Sequence, residues 1–210
     1  MGSVGSCSGT RLLRIVVTGP PGAGKSSVFE ILRSELQDKV HGVSEAATLL
    51  IVQLGITPEE KGGNFVRRSE FQYTLYHVQK LLEYVAEEIA KSIGKKALLC
   101  DKGRLDVAVG LQGGAVEYER LFQTTIQNDY IEYDLVLCLE LPPKEVYDII
   151  RKNNPARGHD YREAQEIQQR VRNIWQDHPN FVFIPNGSGW EEKLNHARQE
   201  IYKFLGSPTP

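Results

Sequence analysis

Four short apolar runs constrain the fold of this chain more than any other feature. "RLLRIVVTG" (11–19), "ALLCD" (97–101), "YDLVLCLEL" (133–141) and "FVFIP" (181–185) are continuous, without polar alternation. A strand wetted on one face alternates; a run that stays apolar suits a parallel sheet covered on both faces. A weaker segment, "KVHGVSE" (39–45), is a fifth candidate. Between the runs the apolar period changes. Phe71, Leu75, Val78, Leu82, Val85 and Ile89 step by four and three, which predicts a long helix with one apolar face. Ala164, Ile167, Val171 and Ile174 repeat the pattern. So do Trp190, Leu194, Ala197 and Ile201, introduced by Ser188 and Glu191 in a capping-box arrangement. Strands alternating with helices predict βαβ units, right-handed crossovers and a three-layer α/β/α sandwich.

The 210 residues suit one domain, expected over 11–205, with a polar leader at 1–10 and a short tail at 206–210. A formal net charge of −2 gives no basic surface of the kind that grips duplex nucleic acid. Cys7, Cys100 and Cys138 show no metal-ligand spacing and read as reduced thiols of a cytoplasmic protein. No segment approaches the ~20 apolar residues that span a bilayer, so no membrane partner is expected. The segments 57–64 and 152–160 carry turn residues and are expected to be mobile loops.

"GPPGAGKSS", from Gly19 to Ser27, follows the first apolar run and precedes a helical pattern. It fits G-x-x-x-x-G-K-[ST], with Gly19, Gly24, Lys25 and Ser26 in the defining places. Pro20 and Pro21 have no N–H, so the amides able to cradle phosphate come from Gly22, Ala23, Gly24, Lys25 and Ser26. Ser27 closes the stretch. The helix N-terminus adds partial positive charge at the same point. Lys25 would bridge the terminal phosphates, and the Ser26 hydroxyl would ligate Mg²⁺. This stretch is expected to hold a nucleoside triphosphate. ATP is the default, since no N-K-x-D guanine motif occurs.

Magnesium needs a carboxylate near the strand ends. Asp101, in "LLCDKGRLD", ends a buried run where the switch-point rule places ligands. Its neighbour is Lys102, with no water-activating glutamate in that place, which favours phosphoryl transfer to a bound acceptor. Glu45 ends the weak second strand and is a candidate general base. Arg104, Asp106 and Arg67 are candidate acceptor contacts. Arg157 and Arg162, in the basic stretch "RKNNPARGHDYREA", are candidate lid arginines that would neutralise transition-state charge. Asn186, in "IPNGSG", would border the purine.

Together "GPPGAGKSS", "SEAA", "CDKGRLD", "YDLVLCLELPP" and "YREAQEIQQRV" resemble the P-loop nucleoside/nucleotide kinase-like NTPases, and among them small AAA-type ATP-binding domains similar to ribosylnicotinamide kinase domains. The resemblance covers most of 11–205 and implies a five-stranded parallel sheet, ATP with Mg²⁺, a lid, and transfer of the γ-phosphoryl to a small acceptor such as a nucleoside or nucleotide. By position it gives Lys25 and Ser26 the phosphate and metal roles, Asp101 the metal or base role and Arg162 the lid role. Two arginines of the family pattern are missing. Lys102 stands in D-R-G, and Thr48 closes E-A-A-R. An NTP-binding switch acting through a protein partner is the alternative those losses favour. A polynucleotide 5′-kinase would need a basic groove that the sequence does not offer.

Overall fold

The computed structural model describes residues 11–58, 64–152 and 158–206. The described residues contain seven strands: β1 (Leu13–Thr18), β2 (Val40–Val43), β3 (Ile56–Pro58), β4 (Asn64–Val66), β5 (Ala97–Asp101), β6 (Leu135–Leu139) and β7 (Phe181–Ile184). Five of them form an all-parallel sheet in the order β2-β5-β1-β6-β7. These are the four apolar runs and the weaker fifth. The helices are α1 (Lys25–Glu35), α2 (Ala46–Thr48), α3 (Arg68–Ser92), α4 (Val107–Gly110), α5 (Gly114–Phe122), α6 (Ile126–Tyr130), α7 (Lys144–Lys152), α8 (Tyr161–Trp175) and α9 (Trp190–Phe204).

Strand β1 shows why the runs do not alternate. Ile15 and Val17 enter one core with Val28, Phe29 and Leu32 of α1 and Leu194, Ala197 and Ile201 of α9. Val16 enters the opposite core, with Tyr76 and Ala90 of α3, Tyr118 of α5 and Val171 and Trp175 of α8. All three β1 residues are fully buried, and each such side chain contributes roughly 1.5–3 kcal/mol. The result is a three-layer α/β/α sandwich.

Two local expectations need correction, and a third falls mostly outside the described residues. Val85 and Ile89 are exposed, at 44% and 43%, whereas Gln79, Glu83 and Glu87 are buried. Helix α3 turns a polar face to the sheet because Arg14 and Arg104 wait there as partners. The segment 57–64 is flanked by the short parallel pair β3–β4, with Ile56 opposite Asn64; its residues 59–63, and 153–157 of the second loop, lie outside the described residues. The start of α9 is capped differently from the expected box. Gly189 is the N-cap, and Glu192 accepts from both the amide and the hydroxyl of Ser188, each at 2.7 Å.

Among the described residues no helix is long and apolar enough to cross a membrane.

Candidate functional site

The C-terminal ends of all five sheet strands meet one edge, and the connections there build the site. The loop after β1 turns sharply into α1. Gly19 has φ 140°, and a Cβ there would lie 2.6 Å from the Leu139 carbonyl oxygen, so only glycine lets β1 and β6 stay paired. Gly24 has φ 91° and caps α1; its missing Cβ leaves room for the Trp190 ring, which would otherwise sit 2.6 Å away. The Ala23 amide turns back to the Pro20 carbonyl at 3.3 Å. The amides of Gly22, Gly24, Lys25 and Ser26 engage no partner among the described residues, and they gather at a helix N-terminus. That is a cradle for an anion.

Lys25 lies half-buried under the loop, donating to the Pro20 carbonyl at 2.8 Å. Burial, and then the Lys102 ammonium, pull its pKa down to about 8. Asp101 is 6% exposed at the end of β5, where the Ser26 hydroxyl helps to hold its charge, and its Oδ1 is buried without a partner among the described residues. Burial and the Glu45 charge raise its pKa, against the pull of Lys25, Lys102 and Ser26. A hydroxyl close to a carboxylate with an unpartnered oxygen fits one hard cation. Mg²⁺ prefers such sites, taking its remaining ligands from phosphates and water.

Next to this pair lies a second charged group. Lys102 sits in the left-handed region, φ 72°, a strained state for a lysine that costs on the order of 1–2 kcal/mol. Its amide still donates to Val17 of β1 at 3.0 Å, and the twist delivers its ammonium to Glu45, 2.5 Å away. Burial alone would raise the Glu45 pKa, but Lys102 and Lys25 hold it below the usual value, so Glu45 is ionised. Asp106 accepts from the Thr18 hydroxyl and, at 2.8 Å, from the Gly103 amide. Glu45, Gln79, Lys102 and Asp106 line a cavity of about 30 Å³. A larger cleft, about 360 Å³, borders the phosphate loop at Gly22–Gly24 and is lined by Pro142, Pro143, Val146, Ile150, Asn186 and Trp190.

Residues 14–193 match the AAA domain family. The chain belongs to that family. This AAA domain is thus a P-loop, nucleotide-binding domain, as its Gly19–Ser27 geometry requires. A crystal structure of NadR protein in complex with NR shares the fold, with a TM-score of 0.62 at 14% identity; the match covers 95% of this chain and 51% of that one, so the chain spans about half its length. No curated protein sequence matches the chain.

Of the residues expected at the site, Gly19 to Ser27, Glu45, Asp101, Asp106 and Asn186 converge on this edge. Arg104 does not. Its guanidinium is 4% exposed and locked to Glu83 at 3.1 Å, Asp129 at 3.3 Å and Glu132 at 3.1 Å, over the Tyr133 ring, so the expected acceptor contact is replaced by a buried structural role. Arg67 points to solvent, 78% exposed, and pairs with Glu70; Arg162 is 87% exposed and pairs with Glu166. Neither reaches the phosphate loop here. Arg157 lies outside the described residues.

Two contributors escaped the sequence reading. By its period Trp190 belongs to a packing stripe, yet it lines the cleft with its ring against Gly24. Lys193, 3% exposed, donates to the Ala23 carbonyl at 3.1 Å and to the Glu140 carbonyl at 2.6 Å, tying α9 to the phosphate loop; burial draws its pKa down to about 8. Its signal was a lysine three residues after Trp190 on an otherwise apolar face.

The Lys25 pKa yields a pH prediction. Polyphosphate binds the protonated amine, so binding raises the Lys25 pKa and affinity is full below pH 8. Above it affinity falls, by up to about tenfold per pH unit. Titrations of Mg·ATP from pH 7 to 10 should show this slope in the wild type and in Lys193→Met, and a flat profile in Lys25→Met. A slope that vanishes with Lys193 instead would shift the assignment to that residue.

Proposed function

We propose that this AAA domain binds ATP with Mg²⁺ and transfers the γ-phosphoryl group to a small acceptor hydroxyl such as that of a nucleoside, a nucleotide or a related metabolite. The observation that carries the reading is the buried Asp101 Oδ1, which has no partner among the described residues, set close to the Ser26 hydroxyl and to the loop amides that engage none there. Ser26 and Asp101 would hold the magnesium, which lends Lewis-acid stabilisation to the phosphates. Lys25 would draw charge from the terminal phosphates. Glu45, already ionised, would take the acceptor proton as the acceptor oxygen bonds to phosphorus and the bridging oxygen leaves with ADP. Lys102 would supply a second cation where Arg162 does not reach.

One observation favours a second reading, a slow ATPase acting as a switch for a protein partner. The cavity beside Glu45 and Lys102 has room for a water or two, far below the several hundred Å³ of ordinary small-molecule pockets. Incubation with Mg·ATP, alone and with a panel of nucleosides, nucleotides and related metabolites, separates the two. ADP release that depends on one acceptor supports transfer. Slow release indifferent to every acceptor supports the switch, and no release together with no nucleotide binding overturns both.

A further inference from the structure

The 360 Å³ cleft beside the phosphate loop contains few polar side-chain groups, and one of them is fixed in orientation. Asn186 donates through Nδ2 to Glu140 Oε2 at 2.9 Å and to the Leu141 carbonyl at 2.7 Å. Both hydrogens of its amide are therefore committed to acceptors that can only accept. The backbone amide of Asn186 donates to the same Glu140 oxygen at 2.7 Å, which holds the carboxylate in place. Turning the side chain over would set Oδ1 against a carboxylate and a carbonyl, three acceptors with no proton among them. The amide is thus locked with Oδ1 as the one hydrogen-bonding atom it has left to offer, and Asn186 lines the same cleft as Val146 and Ile150.

We infer that Asn186 selects the base: its fixed Oδ1 accepts from an exocyclic amino group and repels an exocyclic carbonyl. An amino-purine donates there. A 6-oxo-purine presents lone pairs to a lone pair, and a site whose polar group goes unpaired discriminates more strongly than one that loses apolar contact. The discrimination comes from the Glu140 carboxylate behind Asn186, which removes the freedom that lets an ordinary asparagine serve either base. The inference rests on the reading of this cleft as the base site of a nucleotide whose phosphates lie on Gly22–Ser26.

The test uses Trp190 as reporter. It lines the cleft at 39% exposure, while the other tryptophan, Trp175, is fully buried. Fluorescence titrations with the magnesium complexes of ATP, inosine triphosphate and purine riboside triphosphate hold the sugar and phosphates constant while the 6-position changes from amino to oxo to hydrogen. Expected is a Kd for inosine triphosphate roughly ten- to a hundredfold above that for ATP, with purine riboside triphosphate between them. In Asn186→Ala the ratio should collapse toward one, with inosine triphosphate binding retained as proof of a folded site. The ligand series in the wild type decides the question even if that variant does not fold. Equal Kd values for ATP and inosine triphosphate, both perturbing Trp190, overturn the role of Asn186 and leave the cleft as the base site. Lys25-dependent binding that never perturbs Trp190 overturns the placement of the base as well. Failure of every nucleotide to bind overturns the proposed function together with this inference.

Discussion

Replacing Lys25 with methionine lowers the affinity for Mg·ATP about a hundredfold and abolishes turnover, yet leaves a protein at least as stable as the wild type. The two halves of this expectation have one cause. In the free protein the ammonium has, among the described residues, only the Pro20 carbonyl as hydrogen-bond partner and faces the Lys102 cation, so burial works against it and its pKa falls to about 8. Below pH 8 the fold therefore carries a charge it would be more stable without; for such a group stability rises as pH climbs from about 8 toward the unfolded lysine value, because the unfolded chain holds the proton longer. A polyphosphate reverses the balance, since each charge-assisted hydrogen bond contributes about 1.5–3 kcal/mol and the transition state gains more than the ground state. Methionine keeps the stem and deletes the charge. Thermal melts without nucleotide should show an unchanged or higher midpoint, and Trp190 titrations the lost affinity. Unaltered binding and turnover in this variant would remove the basis for placing the phosphates on Gly22–Ser26.

Strands and phosphate loop were legible for different reasons. A run such as "LVLCL" has no polar residue to face water, so burial on both sides follows from composition alone. The loop is legible because its backbone conformation demands glycine where a side chain would strike Leu139 or Trp190. Helix α3 shows where such reasoning stops. Its apolar period is real, but Phe71 and Leu75 are covered while Val85 and Ile89 are not. Periodicity identifies a face and says nothing of what lies opposite. Here Arg14 of β1 lies opposite, 69 and 73 residues from Glu83 and Glu87, and those ion pairs outweigh a few apolar contacts. The Lys102–Glu45 contact was hidden in the same way. It requires a left-handed lysine, which no local propensity favours, and a partner at the N-cap of α2, far away in sequence.

Arg104 separates a sequence expectation from a structural one, and its replacement by methionine is expected to cost about 3–5 kcal/mol, or roughly 10–15 °C in thermal midpoint. Its guanidinium is the hub for Glu83, Asp129 and Glu132, and Asp129 also accepts from Tyr118 while Glu83 accepts from Tyr133. Burial already raises the Glu83 pKa against the pull of Arg104, so removing the cation leaves that carboxylate protonated or exposed to water. The cost is the penalty of an unpaired buried charge rather than the net value of the pair. The double variant Arg104→Met with Glu83→Met should therefore recover part of the loss, because it replaces a buried ion pair by apolar volume. The network also reaches the site: Gln79 bonds Glu83 through Nε2 and accepts from the Ala46 amide at 3.1 Å, next to Glu45. Below its midpoint the Arg104→Met variant should bind Mg·ATP with wild-type affinity, since none of its partners touches Gly19–Ser27. The opposite result, full stability with turnover lost, would return Arg104 to the acceptor and show that α3 turns its carboxylates inward for another reason.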